Sequence, residues 1–144
     1  YNPSCCTPLY DAMGYALNVL RPKVGSEDKV LVTIITDGEE NSSREYSGKA
    51  IAALIDELKQ KGWLFTYIGA NQDAVKVAKT MNISNALNFE QDEEGTKEMF
   101  RRERKSRERF FEKTASFLGL GKAFAIEARK EIACEDSYFE DTDK

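Results

Sequence analysis

The sequence predicts an α/β fold of three layers, a mainly parallel sheet flanked by helices, and three observations predict it. Lys29–Thr36 (KVLVTIIT) and Trp63–Gly69 (WLFTYIG) are nearly continuous apolar runs of strand length. That pattern belongs to strands covered on both faces, as in parallel sheets. Between them Ile51, Leu54, Ile55 and Leu58 recur at helical spacing. Strand, helix, strand in this order makes a βαβ unit, which crosses over right-handed.

Each element carries its own signal. Pro8 at a first helical position opens a helix to about Leu20, with Leu9, Met13, Ala16, Leu17 and Leu20 as its buried stripe. Arg21-Pro22 ends it. Ser42 with Glu45 three residues on has capping-box spacing and starts the middle helix, and Gly62 sits where a C′ glycine belongs. Asn71 caps a short helix over Gln72–Thr80, with Asp73 in its first turn and Met81-Asn82 closing it. A strand follows around Ala86–Phe89.

Asp92–Phe117 is charged and helix-favouring, and Met99, Phe100, Phe110, Phe111, Phe117 and Leu118 are its candidate docking residues. Gly119-Leu120-Gly121 breaks it, Lys122–Cys134 forms a further helix, and the acidic last ten residues form a mobile end. Residues 1–91 therefore read as an α/β domain, and 92–144 as a helical extension packing on it.

Composition narrows the function classes. A chain of 144 residues suits one globular domain. With 25 acids against 21 bases, the net charge of −4 argues against a nucleic-acid binder. Apolar runs are too short to span a bilayer, and Tyr1–Leu9 lacks the basic start and apolar core of a secretory signal. There are 0 histidines, which removes His-based acid–base catalysis, Ser-His-Asp triads and His-ligated zinc. Cys5, Cys6 and Cys134 are odd in number, with two adjacent, so a reduced, cytoplasmic setting is expected. The basic stretch from Arg101 to Lys113 is offset by Glu103, Glu108 and Glu112 and reads as a solvated helix whose cations surround it.

Chemistry concentrates in two loops, Cys5–Asp11 and Thr36–Asn41. Asp37 follows a buried strand directly and so lies at the carboxyl end of a parallel sheet, where ligand crevices of open α/β sheets form. Gly38 permits a sharp turn, while Glu39 and Glu40 add negative potential. Thr7 places a hydroxyl on the adjacent loop. A carboxylate and a hydroxyl converging there are hard oxygen donors suited to Mg²⁺ or Mn²⁺. The alternative is a Thr7 N-cap and an ordinary Asp37-Gly38 turn.

CTPLYDAMGYAL (Cys6–Leu17) followed by VLVTIITDGEENSS (Val30–Ser43) resembles the second half of a von Willebrand factor type A domain. The resemblance covers roughly Cys6 to Phe89. It implies a metal-ion-dependent adhesion site built from three stretches: an Asp-x-Ser-x-Ser loop, a Thr before a helix, and an Asp after a strand. Thr7 matches the second stretch and Asp37 the third. No Asp-x-Ser-x-Ser occurs in the chain, so the resemblance implies that the first three strands are missing, by design or by proteolysis. In an intact site Mg²⁺ or Mn²⁺ would be completed by a partner's Asp or Glu. With two ligands present, metal binding here is expected to be weak or absent.

The resemblance thus implies a non-catalytic, metal-assisted protein-binding module. It also leaves Lys29–Thr36 as an exposed sheet edge, a pairing hazard that predicts a homodimer through residues 29–36. Two other readings stay open. One is a subunit of a metal-dependent hydrolase with Asp37 and Glu39 holding the ion. The other is a structural module of a bacterial or phage assembly.

Overall fold

One strand buried on both faces organises the molecule. In the computed structural model, which describes residues 6–70, 73–116 and 137–140, β2 (Leu64–Ala70) is buried at every position. It lies between β1 (Leu31–Thr36) and β3 (Asn85–Phe89) in a three-stranded sheet of order β1-β2-β3. Both pairings are parallel, with Leu31 opposite Leu64 and Thr66 opposite Asn85. The sheet with helices on both faces is a Rossmann-like α/β arrangement.

Alternation along the strands divides two cores. Val30, Ile34, Phe65 and Tyr67 face a cluster with Leu9, Met13 and Leu17 of α1 (Leu9–Leu20), Ile51, Ile55 and Leu58 of α2 (Gly48–Gln60), and Ala74 and Ala78 of α3 (Ala74–Thr80). The intervening residues Leu64, Ile68 and Leu87 face the opposite layer. There Met99 and Phe110 of α4 (Glu93–Ser116) meet Tyr138 and Phe139. No helix among the described residues is long and apolar enough to cross a membrane.

Several local expectations change. Helix α1 has Pro8 as N-cap rather than N1, and its buried face is Leu9, Met13, Gly14 and Leu17; Ala16 and Leu20 are exposed. The N-cap of helix α2 lies five residues after Ser42, at Ser47, whose side chain accepts from Ala50 N at 3.2 Å. Its end is as expected: Gly62 adopts φ 87° and donates to Lys59 O at 2.9 Å. Helix α3 is capped by Asp73, whose side chain accepts from Lys76 N at 3.1 Å. Asn71 lies outside the described residues.

Helix α4 docks by a different stripe from the one its aromatics suggest. Met99, Glu103, Ser106, Phe110 and Thr114 are buried, whereas Phe100 and Phe111 are 54% and 40% exposed. The buried set recurs at three- and four-residue intervals, one face of a helix. Thr114 returns its hydroxyl to Phe110 O at 2.9 Å, which lets a polar side chain sit inside. Phe117, Leu118, the Gly119–Gly121 break and the Lys122–Cys134 helix lie outside the described residues.

Candidate functional site

The site lies where β1 ends. Thr36 Oγ1 donates to Gly38 O at 2.8 Å and accepts from Gly38 N at 3.2 Å, closing a tight turn that leaves Asp37 exposed. Asp37 Oδ2 accepts from Gln91 Nε2, in the loop after β3, at 3.2 Å. Thr7 comes against the same turn: a Cβ on Gly38 would stand 3.0 Å from Thr7 Oγ1. A side chain here would crowd the Thr7 hydroxyl, and the glycine does not serve a left-handed backbone. Among the described glycines, only Gly62 has positive φ.

A helix normally satisfies its first amide groups with its own capping side chain, but Pro8 provides none. The β1–α2 loop does this instead. Glu40 Oε2 accepts from Tyr10 N at 2.8 Å, and Ser43 Oγ accepts from Asp11 N at 3.0 Å. Thr7 N donates to Asn41 Oδ1 at 2.8 Å, while Asn41 N donates to Thr7 O at 3.2 Å. In return, the Asp11 carboxylate accepts from the amides of Arg44, Glu45 and Tyr46 at 2.8 to 2.9 Å.

These bonds decide which acids are available. Burial alone pushes the Glu40 carboxyl up, but the Ser43 and Tyr10 amides, the Ser43 hydroxyl and the Ser42 amide outweigh it and hold it below the ordinary value. For Asp11 the Arg44 amide is the main lowering influence, partly opposed by burial and reinforced by Tyr46 and Glu45. Both carboxylates are occupied as structural clamps. Glu40 can still add negative potential, but its two oxygens are committed to these donors, while Glu39 stays exposed.

The structure thus brings Thr7 and Asp37 onto neighbouring loops at the carboxyl end of the sheet. Thr7 is not the helix cap, and its hydroxyl makes no hydrogen bond among the described residues. No group of three or more His, Cys, Asp or Glu able to hold a metal occurs among the described residues. Cys6 carries a free, exposed thiol; Cys5 and Cys134 lie outside the described residues.

Three contributors escaped the sequence reading: Asn41, Gln91 and the Asp11 clamp. The only signal for them was the polar Asn41-Ser42-Ser43 run without helical periodicity, which marks a loop rich in donors. No family model, curated protein or solved structure matches the chain.

Proposed function

We propose that this chain is a non-catalytic protein-binding module whose Thr7 and Asp37 contribute to a divalent-cation site of the von Willebrand factor A type. The observation that carries this reading is the meeting of the Thr7 and Asp37 loops beyond the carboxyl end of β1. The side chains fit Mg²⁺ or Mn²⁺ as far as they go. Both are hard oxygen donors, Thr7 Oγ1 is unbonded among the described residues, and Asp37 has a neutral amide partner in Gln91. Thr7 and Asp37 would hold the cation, which when bound attracts a carboxylate from the partner. The chain's own work is to keep the two loops in register through Asn41, Glu40 and Asp11.

A non-catalytic role is favoured because two acids of the site, Asp11 and Glu40, already accept three and four donors and are not available as a base. Manganese-induced broadening of amide resonances tests the reading. Broadening should centre on Thr7, Asp37 and Gly38, with affinity of about 1 mM or weaker for two protein ligands, and Asp37→Asn should abolish it. Broadening that survives Asp37→Asn, or centres on Asp92–Glu94, would refute the assignment.

A further inference from the structure

Three loops, and not two, meet at the carboxyl end of the sheet. Gln91 stands two residues past the end of β3, yet its Nε2 donates to Asp37 Oδ2, one residue past the end of β1, at 3.2 Å. Because β2 lies between those strands, the contact reaches across the end of β2.

Gln91 is anchored on both sides. Before it, Phe89 stands in register with Ala70 at the end of the β2–β3 pairing. After it, Asp92 closes the first turn of α4: its Oδ1 accepts from Gly95 N at 2.6 Å, and its carbonyl accepts from Thr96 N at 3.0 Å. A Cβ on Gly95 would collide with the Glu90 carbonyl, so this turn closes tightly on the loop. A side chain held between two regular elements is well placed for a ligand site.

The carboxamide offers more than a hydrogen bond. Its carbonyl oxygen is a hard donor of the kind that Mg²⁺ and Mn²⁺ accept. The last torsion of a Gln side chain has a nearly twofold preference, and half a turn about it puts Oε1 where Nε2 stands. Two oxygens that share one Mg²⁺ at about 2.1 Å, in right-angled positions, are about 3.0 Å apart. The Gln91–Asp37 separation of 3.2 Å is close to that spacing. Thr7 Oγ1 meanwhile lies against the Gly38 turn beside Asp37.

We infer that Gln91 is a third oxygen donor to the cation held by Thr7 and Asp37, its carboxamide turning from hydrogen-bond donor to ligand, through Oε1, as the cation enters. The inference rests on the Thr7–Asp37 reading and deepens it. Thr7 and Gln91 are neutral, so of the three ligands only Asp37 offsets the charge of the cation. The remaining positive charge is what draws a carboxylate from the partner.

The test uses the whole chain, with Mn²⁺ binding followed by amide broadening and Mg²⁺ binding by side-chain carbon resonances. Gln91 is exposed, so its replacement leaves both cores intact. Gln91→Ala should weaken Mn²⁺ binding about fivefold, the scale of one polar contact. Gln91→Glu should tighten it about fivefold to tenfold by adding a charge beside the cation. Mg²⁺ should move the Gln91 Cδ and Asp37 Cγ resonances with one midpoint, whereas an amide that only orients Asp37 would give no downfield shift at Cδ. Binding that is lost in Asp37→Asn, yet unchanged or tighter in Gln91→Ala, overturns the inference and leaves the cation site standing. An unmoved Gln91 Cδ does the same. Binding that survives Asp37→Asn overturns the cation site and the inference with it.

Discussion

Thr7 and Asn41 hold each other reciprocally: the Thr7 amide donates to Asn41 Oδ1 at 2.8 Å and the Asn41 amide donates to Thr7 O at 3.2 Å. Two loops separated by 34 residues are thereby placed in one register at the end of β1. Removing the Asn41 side chain leaves one bond of the pair and frees the Thr7 amide. Asn41→Ala should cost about 1 kcal/mol, the net worth of such a bond. Hydrogen exchange at Thr7 should quicken, with β2 amides little changed. Unaltered exchange at Thr7 would show that other contacts hold the loop.

Glu40 makes the same junction sensitive to acid. Its carboxyl is held below the ordinary value of 4.5, and that of Asp11 below 3.8, by hydrogen bonds made only in the fold. A depressed folded-state pKa contributes stability that is present above the unfolded value and lost as pH falls through the folded one. Urea-measured stability should therefore decline as pH is lowered below about 4.5. Glu40→Gln should flatten that decline while lowering stability at neutral pH, since Gln presents one acceptor oxygen in place of two. A Glu40 titration midpoint at or above its ordinary value would contradict the clamp.

Gly14 is a helical position where alanine should do harm. Glycine inside a helix ordinarily costs about 1 kcal/mol relative to alanine. Here a Cβ would stand 2.6 Å from three atoms of the Tyr46 ring. That ring is also anchored, because Asn18 Nδ2 donates to Tyr46 Oη at 3.0 Å and to Gly14 O at 2.9 Å. Gly14→Ala should destabilise by about 1–2 kcal/mol, overpacking outweighing propensity. A stability gain in urea unfolding would show that Tyr46 swings away freely.

The parts that local pattern governs could be read in advance. The continuous apolar run of β2 announced burial on both faces, and Gly62 announced the end of α2. The decoys were residues with two local solutions. Ser42 and Glu45 have capping-box spacing, yet the Ser42 amide grips Glu40 at 2.9 Å and Ser47 caps the helix. In α1 the apolar residues nearly encircle the helix, so periodicity could not exclude Ala16 and Leu20 from the core. In α4 the hidden stripe includes Glu103, Ser106 and Thr114, which no hydrophobic pattern marks. The positions of Thr7 and Asp37 could be read in advance because Thr7 precedes a recognisable helix and Asp37 follows a recognisable strand. That of Gln91 could not, since its bond to Asp37 spans 54 residues.

The far end of the sheet gives a paired test of backbone against side-chain satisfaction. Asn85 Oδ1 accepts from the Tyr138 amide at 2.9 Å in a buried bond, and Arg109 reaches Tyr138 O at 2.8 Å. The Tyr138 hydroxyl is itself buried without a hydrogen-bond partner among the described residues, and burial, with Glu103 adding to it, pushes its pKa upward. Asn85→Ala strands a buried amide and should cost about 1–3 kcal/mol. Tyr138→Phe removes an unsatisfied hydroxyl while keeping the ring against Phe110 and Phe139. It should therefore be neutral or stabilising by up to about 1 kcal/mol. Unfolding curves that rank the two variants the other way would mean that the hydroxyl, and not the backbone, fastens residues 137–140 to β3.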